Sequence, residues 1–295
     1  MDFLVTGSNG FVGKNVTNYL RGKGADVRIT PRCNFDLNDM AVCEWLVRDV
    51  KTIFHFAGFT GGAKILSETP NAYARNSILN INIMEAAHKA GVENFVFISS
   101  SVVYPEHALL SEENAHVGNP PNCYYGPGHM KRYGETLAMS YHFHTEPKMR
   151  CTIIRPGNIY GPHNKFGENA NVLSATIRKV VDQDYPLVVW GDGEDLRDFI
   201  YIDDFIEGMM IACDSEEHMA WNVASGTLAS VKDVLEIAMD WEDYHPEIVY
   251  DASKPSMIRR REIDTSRIER AGFKCKMCLE DGIAETIQWY KELRC

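Results

Sequence analysis

The sequence lacks the basic surplus that a protein needs to bind nucleic acids or anionic membranes. Its 295 residues carry 30 Lys and Arg against 41 Asp and Glu, a net charge of -11, whereas those partners attract dense basic patches. No stretch approaches the roughly 18 apolar residues of a membrane helix, and Met1–Gly7 shows no basic segment of a secretion signal. We therefore predict a cytoplasmic protein that binds neither nucleic acid nor membrane.

Cysteine is scarce and scattered, which speaks against a disulfide framework or a metal site. The eight cysteines occur in apolar or helical contexts, where free thiols are expected in a chain without a secretion signal. Cys275 and Cys278 have the spacing of half a zinc site, but no second ligand pair stands at a suitable spacing. We therefore predict no metal. Repeats and low-complexity linkers are also absent, so we expect no clean domain linker.

Short apolar runs alternate with helical patterns through the first half of the chain. Strands alternating with helices at this spacing predict an α/β protein with a Rossmann-type, doubly wound parallel sheet. The pattern loosens after Arg155, which predicts a smaller α/β lobe. We assign 1–155, plus returning segments, to the first unit and 156–295 mainly to the second. The predicted strands of the first half are Phe3–Val5, Val27–Ile29, Thr52–Phe56, Asn94–Ser99 and Cys151–Ile154.

A glycine-rich turn follows the first predicted strand. Gly7 and Gly10 permit a tight turn and a close approach of the backbone to a ligand, and Gly13 lets the next helix pack on the strand with its N-terminus facing a pyrophosphate. Because the turn joins a strand to a helix, we interpret it as a dinucleotide site rather than a simple glycine turn. The predicted cofactor residues here are Gly7, Asn9, Gly10, Phe11, Val12 and Gly13.

The residues after the second strand bear on the choice between NAD and NADP. A carboxylate at the end of Val27–Ile29 would bind the ribose hydroxyls of NAD, but none is there and Arg32 follows, which suits the 2′-phosphate of NADP. We therefore prefer NADP(H) and keep NAD(H) as the alternative, in which Arg32 is a solvated loop charge. The other predicted contacts are Asp36 and Leu37 at the adenine edge, and Ala57 and Gly58 in a small-residue turn after the third strand.

Seven motifs run in order over nearly the whole chain, and together they resemble one family. That family is the extended short-chain dehydrogenase/reductases of sugar nucleotides, the NAD-dependent epimerase/dehydratases, and within it the chain resembles the epimerase/reductases of GDP-linked 4-keto sugars. The resemblance implies a Rossmann-type fold, a nicotinamide cofactor and a nucleotide-diphosphate sugar as substrate. The motifs are Thr6–Gly13, Phe59–Gly62, Ser100–Pro105, Arg155–His163, Trp190–Gly193, Asp203–Asp204 and Asp251–Pro255.

The resemblance implies a catalytic serine, tyrosine and lysine. In the family the tyrosine exchanges a proton with the sugar oxygen, the lysine lowers the tyrosine pKa and holds the nicotinamide ribose, and the serine hydrogen-bonds the reacting oxygen. Ser100 and Lys131 match two of these positions. The usual Tyr-x-x-x-Lys spacing is broken, because Pro127 stands four residues before Lys131. We interpret this as a two-residue insertion that leaves Tyr125 as the tyrosine. The alternatives left open are Tyr124 and, as an acid/base of another kind, His129.

The resemblance also suggests which half of an epimerase/reductase mechanism is present. In these relatives a cysteine two residues after the serine works with a histidine to epimerise the carbons beside the ketone. Val102 stands in the place of the cysteine, while His163 fits the histidine. Because valine carries no transferable proton, we expect reduction of the ketone without epimerisation. The same resemblance places Asn76, Pro156 and Asn158 at the cofactor.

Substrate contacts are expected from the C-terminal lobe. Lys165 and Arg197 are the cations assigned to the diphosphate, because an acidic chain needs local positive charge to hold one. A surface ion pair is the alternative for Arg197. The run Arg259–Arg261 could meet a phosphate, but we expect it to be a solvated face. The complete set of predicted substrate residues is Val102, Asn158, His163, Lys165 and Arg197.

Three functions remain open at this point. The first is an NAD(P)-dependent reductase of a nucleotide-linked 4-keto sugar, and the second is an epimerase that retains NAD. The third, of another class, is a non-catalytic dinucleotide-binding scaffold in which the irregular tyrosine spacing records lost chemistry. The resemblance further implies a homodimer formed through two helices of each subunit, here Asn71–Ala90 and Lys131–His144.

Overall fold

The computed structural model describes residues 1–30, 35–59, 70–106, 109–167, 170–253 and 258–294. Those residues form an α/β protein with twelve strands, nine α-helices and short 3-10 turns at Ser101–Val103, Glu112–Asn114 and Asn122–Tyr124. Strands β1 to β12 are Phe3–Thr6, Val27–Ile29, Thr52–His55, Asn94–Ile98, Arg150–Pro156, Asn158–Tyr160, Leu187–Trp190, Leu196–Tyr201, Ala220–Val223, Leu228–Ser230, Ile248–Asp251 and Arg260–Arg261. Helices α1 to α9 are Phe11–Gly22, Met40–Leu46, Pro70–Lys89, Tyr125–His144, Val172–Val181, Ile202–Asp214, Val231–Glu242, Ser266–Arg270 and Leu279–Glu292.

The central element is a six-stranded sheet in which every neighbouring pair runs parallel. Its order is β2-β1-β3-β4-β5-β9, so the predicted doubly wound, Rossmann-type sheet is confirmed. Because β2 lies on one side of β1 and β3 on the other, the winding reverses at β1. Open α/β sheets bind ligands in the crevice at the carboxyl ends of the strands beside such a reversal. β1 and β3 end at Thr6 and His55, so the glycine turn and the Ala57–Gly58 turn meet there.

Side chains of this sheet alternate between two cores, as a pleated strand requires. In β1, Leu4 packs into one core and Val5 into the other, and in β3 Ile53 and Phe54 divide in the same way. Residues of α1 and α6 cover the Val5 core, and residues of α2, α3 and α4 cover the Leu4 core. Because helices close both faces, the strands read as continuous apolar runs in the sequence.

The C-terminal half builds smaller sheets and returns one strand to the first sheet. β8 pairs with β10, β12 and β6, and β7 pairs with β11. β9 comes back to the edge of the six-stranded sheet beside β5, with Trp221 as the register partner of Ile154. The carboxyl end of β5 therefore lies where the first sheet and the C-terminal strands adjoin.

The helix α4 begins earlier than the sequence pattern indicates. The pattern predicts a helix from Lys131, whereas the structure extends it back to Tyr125 through Gly126, Pro127 and Gly128. The first four N–H groups of a helix have no intrahelical partner, so a proline in the first turn forfeits no hydrogen bond. The glycine beyond it permits close packing, because a Cβ at Gly128 would lie 2.7 Å from the carbonyl oxygen of Val102.

Within the described ranges no helix is long and apolar enough to cross a bilayer. In the same ranges no three His, Cys, Asp or Glu side chains form a group that could hold a metal ion. The Cys275 thiol instead donates to the carboxylate of Asp204 at 3.2 Å.

Candidate functional site

Two glycines after β1, Gly7 and Gly13, have no room for a side chain. Gly7 has a φ of +66°, a left-handed conformation that favours glycine, and a Cβ there would lie 2.7 Å from both Ala57 N and Phe56 C. A Cβ on Gly13 would lie 2.7 Å from the carbonyl carbon of Gly7 and overlap its oxygen. The N–H of Gly10 closes the turn by donating to Gly7 O at 2.8 Å. The turn is therefore a cradle of bare backbone at the reversal between β1 and β3.

Helix α1 begins at this cradle, and its N-terminus suits an anion. Gly10 is the N-cap residue and supplies no capping side chain, and the first turn contains no acidic residue. The first N–H groups of a helix carry partial positive charge, so they can bind a pyrophosphate. Bare backbone, a positive helix end and the winding reversal together fit a dinucleotide. The residues predicted from the glycine turn all lie here: Gly7, Asn9, Gly10, Phe11, Val12 and Gly13.

Thr30 ties the cradle to the end of β2. Its hydroxyl accepts a hydrogen bond from Gly7 N at 3.2 Å, and its carbonyl accepts from the Ser8 hydroxyl at 3.2 Å and the Asn9 amide at 3.3 Å. A carboxylate at the end of this strand binds the ribose hydroxyls in NAD sites, and the chain presents a hydroxyl instead. Arg32, the predicted contact of a 2′-phosphate, lies outside the described residues.

Asp36 and Leu37 differ in exposure. Leu37 is 5% exposed and packs into the core under α2 and α3. Asp36 is exposed, and hydrogen bonds from Asn38, with help from Arg75 at 3.4 Å, lower the pKa of its carboxyl. Arg75 also lies 4.2 Å from the ring centroid of Phe59. These contacts link the predicted adenine edge to the turn after β3.

One asparagine fixes the turn after β3. Asn76 of α3 accepts a hydrogen bond from Phe59 N at 2.7 Å and donates to Phe59 O at 3.0 Å. The N–H of Ala57 donates to the Thr6 hydroxyl at 3.3 Å, and Gly58 is exposed. Because both groups of the Asn76 amide bond to Phe59, Asn76 holds the predicted Ala57–Gly58 turn in place.

Ser100 and Lys131 lie at the same end of β4. Lys131 Nζ donates to the carbonyl of Ile98 at 2.7 Å, and the Ser100 hydroxyl accepts from Val102 N at 3.3 Å in the turn after the strand. Burial lowers the pKa of Lys131 to about 8, although Glu135 one turn away opposes the shift. The structure thus brings the predicted serine and lysine to one edge of the crevice.

A buried ion pair lies behind this turn. Glu135 is fully buried and accepts two hydrogen bonds from Arg155, at 2.8 and 2.9 Å, one from His116 at 2.7 Å and one from the Ser99 hydroxyl. Burial alone would raise the pKa of Glu135, but the bonds from Arg155, His116 and Ser99 outweigh it and lower the pKa to about 2. Sequence patterns gave no sign of this network, which joins β4, β5 and α4 beneath Ser100.

The start of α4 fixes where Tyr125 points relative to Lys131. A helix turns about 100° per residue, so Tyr125, six residues before Lys131, lies about 120° away around the axis. Tyr124 is the N-cap residue of the helix and ends the 3-10 turn before it. Pro127 occupies the position one turn before Lys131. Tyr125 is 55% exposed with its ring against His129, and Tyr124 is 9% exposed. The inserted residues extend the helix, so they do not swing Tyr125 toward Lys131 as we expected.

Two arginines lie side by side near the Ser100 turn. Arg197 of β8 and Arg261 of β12 are register partners in adjacent parallel strands, which are about 5 Å apart. Arg261 Nη2 donates to Ser101 O, and its buried Nε has no hydrogen-bond partner among the described residues. Arg197 is nearly buried and pairs with Asp195 at 3.3 Å. Asp195 thus balances the charge of Arg197 and leaves the charge of Arg261 unbalanced. Such a local positive charge suits a diphosphate.

The arginine run behaves as expected at two positions and differently at the third. Arg259 and Arg260 are exposed and pair with Asp192 and Glu262, each at 2.7 Å. Arg261 is 5% exposed, so the expectation of a solvated face is wrong there. Successive side chains of a strand point to opposite sides, which turns Arg261 inward while Arg260 points out. The burial of Arg261 could not be predicted from the sequence, because β12 has only two residues and no apolar pattern.

The predicted residues near the end of β5 line the mouth between the two halves. Asn158 donates from its side-chain amide to Asp198 O at 3.2 Å, and Pro156, two residues earlier, is partly exposed. Val102 lies in the 3-10 turn after Ser100, with its carbonyl facing Gly128 of α4. These residues border the same crevice as Ser100.

The predicted His163 and Lys165 lie in the loop after β6. His163 has a φ of +71° and packs edge-on against Trp289 of α9, with ring centroids 5.1 Å apart. Burial, with Lys14 of α1 nearby, lowers the pKa of His163. Lys165 is exposed. His163 therefore packs against α9, with the charge of Lys14 nearby.

Comparisons with known proteins agree with this architecture. Residues 3–224 match the model of the NAD dependent epimerase/dehydratase family. A probable GDP-L-fucose synthase 1 of Oryza sativa subsp. japonica is 29% identical over 98% of this chain and 92% of its own length. A GDP-mannose 3,5-epimerase 1 of Oryza sativa subsp. indica is 28% identical over 98% and 81%. The crystal structure of a GDP-6-OMe-4-keto-L-xylo-heptose reductase from C. jejuni has a TM-score of 0.89 at 22% identity, covering 99% of this chain and 98% of that one. The family resemblance predicted from the motifs is thus confirmed, and the chain belongs to the NAD dependent epimerase/dehydratase family.

Proposed function

We propose that the chain is an NADP-dependent reductase of a ketone on a nucleotide-diphosphate sugar, specifically a GDP-linked 4-keto sugar. The observation that carries the proposal is the pair Arg197 and Arg261 beside the turn that holds Ser100. An anion-binding pair next to the serine and lysine of a ketone-reducing site fits a substrate with a diphosphate at one end and a ketone at the other. The names of two full-length relatives contain a GDP-linked sugar, which supports GDP as the nucleotide.

The two halves of the chain divide the binding of cofactor and substrate in this proposal. We assign residues 1–155, together with β9, to the cofactor, because the glycine cradle lies at the β1 and β3 ends. We assign 156–295 mainly to the sugar nucleotide, because β8 and β12 carry the two arginines. The crevice between β5 and β8 then joins the two ligands at Asn158 and Ser100.

Each residue of the proposed site has a separate task. When bound, the reduced nicotinamide supplies a hydride. The Ser100 hydroxyl donates a hydrogen bond to the ketone oxygen and orients the carbonyl. Lys131, anchored on Ile98 O at 2.7 Å, holds the ribose and places positive charge where negative charge develops on the oxygen. A tyrosine at the start of α4 delivers the proton.

Val102 favours reduction over epimerisation. Inverting a stereocentre beside the ketone requires a group that removes a proton from carbon, and Val102 has no atom that does so. The second function to test is nevertheless epimerisation, because the GDP-mannose 3,5-epimerase relative covers 98% of this chain. Turnover in D₂O separates the two: a reductase leaves C3 and C5 of the sugar free of deuterium, and label at either carbon contradicts the proposal.

The preference for NADP rests on the end of β2. Thr30 stands where NAD sites carry a carboxylate, and Arg32 follows two residues later. Solved structures similar to this chain include complexes with NAD and with NADP. The first experiment is to denature the purified protein, identify released nucleotides by mass, and titrate the emptied protein with NADPH and NADH. Tighter binding of NADPH that is lost in Arg32→Gln, but kept in the control Arg48→Gln, supports the proposal. Stoichiometric retained NAD supports an epimerase instead.

Activity is tested with GDP-4-keto-6-deoxymannose and NADPH, following the loss of absorbance at 340 nm. Consumption of one NADPH for each alcohol formed supports the reductase. Cofactor binding without turnover on any nucleotide-linked keto sugar supports the scaffold.

We also propose that the protein is a homodimer formed through the outer faces of α3 and α4. These helices pack side by side, and they expose Ile78, Ile81 and Tyr133 at 46%, 36% and 52%. Apolar side chains lined up on adjoining helices suit a self-complementary interface with twofold symmetry. The cytoplasmic location stays a prediction from the sequence.

A further inference from the structure

We propose that Tyr124, and not Tyr125, is the proton donor to the sugar ketone, and that Arg261 is the cation that stabilises its phenolate. The proposal rests on the proposed reductase function, because it names the acid of the same site. It differs from the expected arrangement in two ways. The tyrosine stands seven residues before Lys131 rather than four, and an arginine takes the place beside the phenol that the family gives to a lysine.

The start of α4 leaves Tyr124 as the candidate. Tyr124 is the N-cap residue of this helix and ends the 3-10 turn before it. Pro127, one turn before Lys131, has no acidic proton. Tyr125 lies on another face, where its ring packs against His129 with centroids 4.5 Å apart.

Tyr124 is buried beside a cation that binds the turn after Ser100. Its residue is 9% exposed, and the guanidinium carbon of Arg261 lies 5.2 Å from the centre of its ring. Arg261 also donates to Ser101 O, and Lys131 donates to Ile98 O. The two cations therefore bind backbone carbonyls on either side of Ser100 in the chain, and Tyr124 lies on the Arg261 side.

The charges around the phenol suit an acid. Burial raises the pKa of Tyr124, which keeps its proton in place at neutral pH, while Arg261 and then Arg197 oppose the shift. Burial also lowers the pKa of Arg261, and the Tyr124 phenolate counters that effect. A negative charge on Tyr124 thus relieves the crowding of positive charge between the two arginines.

The proton and electron balance of the step is complete. The carbonyl carbon receives the hydride, the C=O π bond breaks, and its electron pair moves to the oxygen. That oxygen takes the phenolic proton of Tyr124 and leaves a phenolate beside Arg261. A proton from water restores the phenol, so one ketone, one reduced cofactor and one proton are consumed for each alcohol.

Other tyrosines near the crevice meet these conditions less well. Tyr104 is fully buried and donates its hydroxyl to Asn222 at 2.5 Å, so its proton is held in the core. Tyr73 of α3 packs its ring on the backbone of Gly126, where a Cβ would lie 2.8 Å from the ring. Tyr73 and Tyr125 are the rivals that an experiment must separate from Tyr124.

Phenylalanine variants make that separation in the full-length protein. Tyr124→Phe lowers kcat for ketone reduction by about 10²- to 10⁴-fold, the range of a lost general acid, and leaves the Kd for NADPH unchanged. Tyr185→Phe, at a 74% exposed position, is the inert control. Wild-type kcat in Tyr124→Phe overturns the proposal, and so does a loss confined to Tyr125→Phe or Tyr73→Phe.

A second measurement does not depend on turnover. Phenolate absorbs near 295 nm, so an alkaline titration of the free protein, less that of Tyr124→Phe, gives the pKa of Tyr124. Arg261→Gln removes the cation and raises that pKa, and Arg261→Lys restores part of the difference. An unchanged Tyr124 titration in Arg261→Gln overturns the role of Arg261. If the wild type binds NADPH but reduces no sugar nucleotide, the proposed function fails, while the titration still decides the Tyr124–Arg261 pairing.

Discussion

Replacing Glu135 by glutamine removes a charge from the network beneath Ser100 and leaves Arg155 without its partner. The pKa of Glu135 falls from 4.5 to about 2 in the folded protein. At about 1.4 kcal/mol for each unit of pKa, that difference corresponds to about 3 kcal/mol of stability at neutral pH. Breaking a buried ion pair by removing one partner costs about 3–5 kcal/mol, so the two figures agree. We expect Glu135→Gln to lower the free energy of unfolding by about 3 kcal/mol.

The stabilisation by Glu135 depends on pH, and the direction of that dependence can be tested. Because folding lowers the pKa of Glu135, the contribution is fully present above pH 4.5 and is lost as the pH falls from there toward 2. Urea unfolding curves of wild type and Glu135→Gln, followed by tryptophan fluorescence, should therefore differ most at pH 7 and converge toward pH 2. A constant difference over this range, or one below about 1 kcal/mol at pH 7, the value of an exposed pair, would refute the reasoning.

Two further variants test whether the loss belongs to the pair. Glu113 also pairs with an arginine, Arg267, but its side chain is 68% exposed. Glu113→Gln should therefore cost less than about 1 kcal/mol. In the Glu135→Gln background, Arg155→Met removes the unpaired buried charge, so the double variant should be less destabilised than the two single changes added together. Additive losses would mean that the two residues act separately.

The remaining predictions concern the cradle, the lysine and the dimer. Gly13→Ala should lower stability by about 1–3 kcal/mol through overpacking and abolish thermal stabilisation by NADPH, whereas Gly22→Ala, with nothing within 4 Å of the added Cβ in the same helix, should retain both. The rate of ketone reduction should fall as the pH rises through about 8, because the ammonium of Lys131 then loses its proton; Lys131→Met should show a low rate without that limb. Sedimentation should show that Ile81→Glu dissociates the dimer while Val249→Glu, also at an exposed position, does not; two intact dimers would contradict the proposed interface.

The central sheet could be predicted closely because helices cover both of its faces. β4 is an apolar run with three buried residues in succession, and it ends one residue before the predicted Asn94–Ser99 does. α2 is short and ends at Leu46. The guanidinium of Arg28 binds the carbonyls of Leu46 and Arg48, each at 2.7 Å. A side chain of β2 thus binds the carbonyls at the end of α2, and a contact of this kind cannot be predicted from the local sequence of the helix.

Some residues of the candidate site could be predicted from local sequence patterns, and others could not. The glycine cradle follows from spacing, because each glycine answers a local steric need. Arg261 does not, since its burial depends on pairing with β8, some 60 residues earlier in the chain by the register with Arg197. Glu135 likewise depends on Arg155 and His116, which other segments supply. Contacts between distant segments decide which charges are buried.

The tyrosine shows how a local misreading changes a chemical assignment. Glycine and proline are poor helix formers, so Gly126–Gly128 suggests a loop, and a loop has no fixed phase relative to Lys131. In the first turn that preference carries little weight, because the N–H groups there have no intrahelical partner to lose. Once the helix begins at Tyr125, its phase is set: Tyr125 turns outward, and Tyr124 stands before the helix as its buried N-cap residue. The residue types follow from the sequence, but which phenol faces the ketone follows from where the helix begins.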